Sequence, residues 1–180
     1  MFTTSPIQQY PLSDFTSASQ QLQVATGESI FICARPAIGN AFAAVTNAWT
    51  YRYNQPNPTA NQSLGTAHAA ENWMFFNGMN TGFNGTGTFT PMTRTETAFA
   101  EELIAYWLSF VRSHDPNTFK LDRSPFWEPY ITQDGRKQRI ILQQGPENST
   151  DVSGSLNEEE PSKEEERCAF VIRKADKEQN

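Results

Sequence analysis

The sequence feature that most constrains the fold is a predicted amphipathic helix at Thr95–Ser113. Five large apolar side chains recur at helical spacing along one face, namely Phe99, Leu103, Trp107, Phe110 and Val111. Thr93 and Glu96 have the spacing of a capping box at its start, and the sequence His-Asp-Pro-Asn at 114–117 ends it. The 180 residues are 37% hydrophobic, which is enough apolar material for this helix to pack on a core.

Three further segments predict regular structure. Residues Glu28–Asn47 have apolar positions compatible with a helix that is interrupted near Pro36. In residues 48–54, AWTYRYN, aromatic side chains alternate with Thr and Arg, and this period of two is the clearest strand signal in the chain. A turn at the Asp-Gly pair 134–135 precedes a second short strand around Arg139–Leu142. Together these elements indicate a soluble mixed α/β unit.

The charge distribution argues against a nucleic-acid partner. The formal net charge is −6, and residues 147–180 hold ten acidic and five basic side chains, so the remaining chain is nearly neutral. No basic face is available to neutralise phosphates. The sequence also lacks a run of about 18 apolar residues, so no membrane span is predicted. The first residues, MFTTSPIQQYPLSDF, lack a charged start followed by an apolar stretch, so no signal peptide is predicted in this chain.

The sequence contains two histidines, His68 and His114. His68 follows the predicted aromatic strand and lies among small residues at 65–70, which leave room for a substrate to approach the imidazole. Because histidine titrates near neutral pH, it is suited to accept and return a proton during acyl transfer. Local composition alone favours an ordinary surface-loop histidine. His114 lies at a helix end, where a capping role is the favoured interpretation.

No other motif in the sequence indicates chemistry. Two histidines and two distant cysteines have no recognisable metal-ligand spacing, so we predict neither a metal nor another cofactor. The Gly-x-Ser-x-Gly elbow, which exposes a nucleophilic serine on a strand-to-helix turn, does not occur in the sequence. Neither cysteine has neighbours that indicate an activated thiolate. The glycines of residues 77–90 lack the spacing of a phosphate loop and are not followed by a lysine.

Four collinear blocks of the sequence resemble one known family. Residues 64–76, LGTAHAAENWMFF, resemble a signature in which a small residue and His precede an acidic residue and an aromatic-ended run. Residues 91–117 resemble a long family helix with its Pro-Asn turn, and FWEPY at 126–130 resembles the Trp-Pro-x-Tyr element that follows it. Residues 27–42, GESIFICARPAIGNAF, resemble a Phe-x-Cys-Pro segment. Order and spacing agree across residues 10–142, and the family is that of the type-B carboxylesterases and lipases, the cholinesterase-like α/β-hydrolases.

The resemblance implies the C-terminal part of an α/β-hydrolase fold, with an incomplete sheet and packing helices. His68 matches the family's general base, which takes the proton of a serine and returns it to the leaving alcohol of a carboxylic ester. Glu71 matches the acidic position that follows this histidine and is not the triad acid. The serine elbow, the triad acid and the oxyanion glycines precede this region in family order, so we expect them in a missing N-terminal hydrolase part.

The resemblance also implies a disulfide between Cys33 and Cys168. Residues 167–170, RCAF, resemble a segment whose cysteine pairs in cholinesterases with that of the Phe-x-Cys-Pro block, whereas two distant cysteines taken alone favour free thiols. A disulfide indicates an oxidising compartment, and hence an extracellular or secretory-pathway location for the parent enzyme. Glycosylation sequons fit that location, and they lie at Asn61, Asn84 and Asn148.

We divide the chain into a hydrolase part at 1–142, an acidic, flexible linker rich in Pro, Ser and Glu at 143–166, and a terminal segment at 167–180. Three functions are compatible with this organisation. The first is a part of an ester hydrolase that is inert alone. The second is a binding module that has lost the catalytic serine, as in cholinesterase-like adhesion proteins. The third is a chain that docks onto a separately encoded N-terminal part and complements it.

Overall fold

The computed structural model describes residues 6–61, 65–81 and 87–178. The chain forms two compact units, each assembled from separate stretches of sequence. The first unit comprises Met1–Thr50, Pro129–Lys137 and Glu159–Asn180, and the second comprises Tyr51–Glu128 and Gln138–Glu158.

Helices and strands are mixed along the chain, which confirms the predicted α/β class. The α-helices are α1 (Pro6–Gln9), α2 (Ala18–Gly27), α3 (Ala34–Ala43), α4 (Asn72–Phe75), α5 (Arg94–Ser113) and α6 (Ser162–Glu178). The strands are β1 (Tyr51–Tyr53), β2 (Met79–Thr81), β3 (Gly87–Phe89), β4 (Gln138–Leu142) and β5 (Leu156–Glu159). Within the described ranges, no helix combines the length and the apolar character needed to cross a bilayer.

The second unit is built on a three-stranded sheet with the order β1-β4-β5. Strand β1 runs parallel to β4, with Tyr51 opposite Ile140 and Tyr53 opposite Leu142. All five residues of β4 are buried, as expected for a strand of a parallel pair that is covered on both faces. Because side chains alternate along a strand, Tyr51 and Tyr53 of the edge strand β1 share one face. Both strands predicted from the sequence are therefore confirmed.

Helix α5 covers the face of the sheet that carries the two tyrosines, since Tyr53 stacks on Phe99 with ring centroids 6.0 Å apart. The Thr93 hydroxyl accepts the Glu96 backbone N–H at 3.2 Å, and the Glu96 carboxylate accepts the Thr93 N–H at 2.6 Å. His114 ends the helix in the left-handed conformation, with φ of 59°. The predicted helix, its capping box and its end are all confirmed.

The predicted apolar face of α5 was wrong at its C-terminal end. Phe99 and Leu103 are buried, but Phe110 and Val111 are 47% and 70% exposed. At 100° per residue Val111 lies off the buried face. Phe110 lies on that face but less than one turn from the helix end, where only part of its ring is covered. Tyr106 is the residue that continues the buried face after Leu103.

A disulfide joins distant parts of the first unit. Cys33 follows a π-helical turn at Glu28–Ile32, Cys168 lies in α6, and the two are bonded, which confirms the predicted pairing. The helical stretch is interrupted near Pro36, as predicted, because the π-helical turn ends at Ile32 and α3 begins at Ala34. Pro36 is the third residue of α3, in the first helical turn, where its missing N–H costs no intrahelical hydrogen bond.

The segment 143–166, predicted as a flexible linker, contains regular structure. It includes all of β5, which lies beside β4, and the start of α6. In the loop before β5, the hydroxyls of Ser153 and Ser155 donate to the Glu102 carboxylate of α5 at 2.9 and 2.6 Å. Composition alone does not show the long-range partners that order parts of a polar segment.

Gly78, which connects α4 to β2, is expected not to tolerate alanine. Its φ of +88° lies in the left-handed region, and a Cβ there would lie 2.4 Å from the Thr90 carbonyl oxygen. The Gly78 N–H also donates to the Trp73 carbonyl at 2.9 Å, which leaves the backbone little freedom to move away. We expect Gly78→Ala to lower the free energy of unfolding by about 3 kcal/mol or more, measured by urea denaturation.

Gly135→Ala is the matched control for this substitution. Gly135 has φ of +81° but no atom within 4 Å of an added Cβ, so alanine meets backbone strain without a clash. We expect a loss of about 1 kcal/mol for this variant. Equal losses for the two variants would contradict the clash at Gly78.

Candidate active site

His68 lies in a tight turn between the loop after β1 and helix α4. The Ala70 N–H donates to the Ala67 carbonyl at 3.2 Å, which places His68 at the second position of the turn. Ala69 follows with φ of +62°, the left-handed conformation that a type II turn has at its third position. The side chain of His68 and the three residues before it are exposed. The imidazole is therefore accessible in this chain.

The segment that follows the turn is anchored by buried side chains. Trp73 and Met74 of α4 are 1% and 0% exposed, and α4 packs against α5. The Asn72 N–H donates to the Ala69 carbonyl at 3.2 Å, so the turn leads directly into the helix. A turn anchored in this way gives His68 a defined backbone position, which a proton-transferring group requires.

Glu71 is the partly buried N-cap residue of α4, three residues after His68. Its side chain makes no capping hydrogen bond to the helix. Burial, followed by the charge of Glu71, raises the pKa of Tyr51, and the same two causes raise the pKa of Tyr53. The charge of Glu71 therefore acts on the two tyrosines of β1.

An aromatic cluster joins α4, α5 and β1. The ring centroid of Trp107 lies 4.9 Å from that of Phe75, 5.2 Å from Tyr51 and 5.7 Å from Trp127. Aromatic pairs in edge or offset geometry contribute about 0.5–1.5 kcal/mol each beyond the area they bury. The cluster thus holds the helix that follows the His68 turn against the sheet and α5.

The first unit contains a buried ion pair that the sequence did not indicate. Arg167 donates to the Glu28 carboxylate from Nη2 at 2.6 Å and from Nε at 2.8 Å, and the Tyr10 hydroxyl donates to the same carboxylate at 2.8 Å. Glu28 is 2% exposed, and its hydrogen bonds to Arg167 raise the pKa of the guanidinium. Since Arg167 precedes Cys168 on α6 and the cluster offers no nucleophile, we assign it a structural role.

The other residues singled out in the sequence are the three sequon asparagines and His114. Asn61 and Asn148 are exposed, as a glycosylated asparagine must be, and Asn84 lies outside the described residues. The backbone N–H of His114 donates to the Phe110 carbonyl at 2.7 Å, which fits the predicted role at the helix end. Glycosylation at the three sequons stays a prediction.

Sequence reasoning missed a buried carboxylate in α5. Glu102 is 2% exposed and lines a cavity of about 10 Å³, room for one water molecule. Arg123 and Gln143 line the same cavity, whereas His68 and Glu71 do not. No sequence signal distinguishes Glu102 from the exposed Glu101 beside it, because its burial depends on the serines of the loop before β5.

Comparison with known proteins places these features in one family. A model of the carboxylesterase family matches residues 3–168. The crystal structure of Aspergillus niger EstA is 22% identical, with a TM-score of 0.70 over 95% of this chain and 33% of that one. The crystal structure of Geobacillus stearothermophilus carboxylesterase EST55 at pH 6.2 is 25% identical, with a TM-score of 0.63 over 89% of this chain and 30% of that one.

The chain therefore spans about a third of the length of these two structures. The shared architecture confirms the predicted fold, the α/β-hydrolase fold with an incomplete sheet and packing helices. Since the family match extends over nearly all of its length, this chain belongs to the carboxylesterase family.

Proposed function

We propose that this chain is the histidine-bearing part of a carboxylic ester hydrolase, with His68 as the general base. The family match over residues 3–168 carries the proposal. The exposed imidazole of His68, on a turn anchored by Trp73 and Met74, supports it. Two-thirds of the length of the similar structures has no counterpart here, so we propose that this chain is inactive alone.

In the proposed reaction, His68 moves one proton in each half of the cycle. A serine hydroxyl gives its proton to the imidazole as its oxygen attacks the ester carbonyl carbon, and the imidazolium then protonates the leaving alkoxy oxygen. Water repeats the two transfers and releases the acid. By resemblance, the serine, the triad acid and the oxyanion donors belong to polypeptide that precedes this region, and no Gly-x-Ser-x-Gly occurs in these 180 residues.

We further propose that the complete enzyme matures in an oxidising compartment, extracellular or along the secretory pathway. The buried Cys33–Cys168 disulfide supports this location, because cytosolic thiols are kept reduced. The exposure of Asn61 and Asn148 is compatible with glycosylation there.

Ester turnover with and without the remaining hydrolase part tests the proposed function. We expect residues 1–180 alone to give no hydrolysis of p-nitrophenyl acetate above background. The same residues are expected to support turnover when joined to, or co-expressed with, the N-terminal two-thirds of a similar carboxylesterase that contains the serine elbow. A folded assembly without turnover would overturn the hydrolase proposal, and serine-dependent turnover by residues 1–180 alone would overturn the need for a second part.

A separately encoded partner is the second candidate for the missing part. Strand β1 forms an edge of the sheet, and the chain spans a third of the similar structures, both of which are expected if another polypeptide supplies the adjoining strand. Co-purification of two polypeptides that hydrolyse esters only together would support this arrangement. An in-frame serine elbow upstream in the same transcript would contradict it.

A further inference from the structure

Three polar side chains on either side of the His68 turn form a closed ring of hydrogen bonds. Asn57 Nδ2 donates to Asn80 Oδ1 at 3.0 Å, and Asn80 Nδ2 donates to Thr59 Oγ1 at 2.8 Å. The Thr59 hydroxyl then donates to Asn57 Oδ1 at 2.8 Å and completes the ring. Because each side chain both donates and accepts, each bond polarises the next one and strengthens it.

One backbone group fixes the direction of this side-chain ring. The Thr59 N–H donates to Asn57 Oδ1 at 2.9 Å, and a backbone N–H can only donate, so the atom it meets must be the amide oxygen. The nitrogen of the same amide must then face an acceptor, which is the oxygen of Asn80. The Asn80 nitrogen is left to donate to the Thr59 hydroxyl, as observed.

The first side of the ring is held close to the sheet. The chain leaves β1 at Asn54, whose N–H donates to the Leu142 carbonyl of β4 at 2.9 Å. Pro56 and Pro58 flank Asn57, and each fixes its own φ angle near −65°. Asn57 therefore reaches the ring with few conformations to lose.

The second side of the ring is held by the framework that also anchors the His68 turn. Asn80 lies in β2 opposite Thr88 of β3. Just before it, the Gly78 N–H donates to the Trp73 carbonyl at 2.9 Å, and the Gly78 carbonyl accepts the Thr90 N–H at 2.9 Å. The ring thus ties the chain that enters the His68 segment to the elements that follow it.

We propose that Asn80 is a positioning residue, which joins residues 57 and 59 to β2 through the side-chain ring and thereby restrains the turn that carries His68. Helix α4 holds the turn from its C-terminal side, and the ring supplies the restraint on the chain that leads into it. The ring itself stands on its hydrogen bonds, whereas its catalytic consequence rests on the proposed function.

Hydrogen–deuterium exchange of residues 1–180 tests this restraint without ester turnover. The amides of Ala70 and Asn72 report on the turn, because they donate to the Ala67 and Ala69 carbonyls. We expect Asn80→Ala and Thr59→Val each to speed exchange of these two amides by about three- to tenfold, while the amides of α5 keep their rates. The double variant should exchange no faster than the faster single variant, since both changes open one ring.

Two further variants separate the ring from general effects of substitution. Thr88→Ala changes the exposed residue opposite Asn80 in the hairpin but leaves the ring intact, so exchange in the turn should stay within twofold. Asn80→Asp keeps an acceptor for the Asn57 amide and for the Thr59 hydroxyl, and should restore most of the protection lost in Asn80→Ala. Unchanged exchange of the Ala70 and Asn72 amides in Asn80→Ala, or equal acceleration in Thr88→Ala, would overturn the proposal.

Kinetics in an assembly that contains the serine elbow tests the catalytic consequence. Asn80→Ala is expected to lower kcat for p-nitrophenyl acetate by about three- to tenfold and to keep KM within twofold, because the imidazole spends less time within reach of the serine. Asn80→Asp should recover most of this loss. Unchanged kcat in Asn80→Ala would overturn the positioning role, whereas an assembly without any turnover would contradict the hydrolase proposal and leave the exchange result in place.

Discussion

Replacing Cys33 and Cys168 together with alanine is expected to lower the free energy of unfolding by about 4–5 kcal/mol. The disulfide closes a loop with a sequence separation of 135 residues, and a cross-link over such a length removes much of the conformational freedom of the unfolded chain. Both sulfur atoms belong to residues that are 2% exposed, so alanine also leaves small voids that add to the loss. Urea denaturation under non-reducing conditions measures the change.

Reduction of the unmodified protein is the control for the alanine substitutions. Dithiothreitol should destabilise the natural sequence by nearly the same amount and leave the double alanine variant unchanged, because that variant has no other cysteine to reduce. A loss below about 1 kcal/mol in the alanine variant would contradict the stabilising role of the cross-link. Sensitivity of the variant to dithiothreitol would show that the reagent acts on something other than this bond.

In an assembly that contains the serine elbow, His68→Ala is expected to lower kcat for p-nitrophenyl acetate by about 10⁴- to 10⁶-fold. Without the imidazole, the serine oxygen must attack while it still carries its proton, and the leaving alcohol departs without a proton donor. KM should change little, since a group that acts in proton transfer contributes mainly to the transition state. Steady-state kinetics at saturating ester measures the effect.

His114→Asn is the matched control, because His114 is the one other histidine of the chain and ends α5 with a left-handed backbone that asparagine also adopts. We expect this variant to keep kcat within twofold. Retention of most of the activity in His68→Ala, with serine dependence preserved, would assign the general base to a residue outside this chain.

The parts of the fold that were predicted correctly are those specified by neighbouring residues. The capping box of Thr93 and Glu96 and the alternation around Tyr51 and Tyr53 are local patterns, and both elements form as expected. Strand β5 was missed because LNEE has no strand signal of its own and is ordered by its place beside β4. The exposure of Phe110 was also missed, because periodicity does not show where a core ends along a helix.

The candidate site was predictable in part. The choice of His68 as the general base stays a prediction, and it could be made from the sequence because the small residues and the motif around it are contiguous. The effect of the Glu71 charge on the pKa of Tyr53 was not predictable, since no spacing rule connects a strand residue with a helix cap eighteen positions later. Glu102 was missed for a similar reason, because the serines that accompany it in the interior lie about fifty residues downstream.

The pairing of β1 with β4 has a consequence during synthesis. Tyr51 faces Ile140, so the aromatic strand emerges about 90 residues before its neighbour. At about 5–20 residues synthesised per second, the amide and carbonyl groups of β1 that pair with β4 stay unpaired for roughly 5–20 s. An unpaired strand with two closely spaced tyrosines is prone to pair with a non-native strand. We therefore expect a lower growth temperature, or a ribosome-associated chaperone, to raise the yield of native protein more than a stabilising substitution in β4 would.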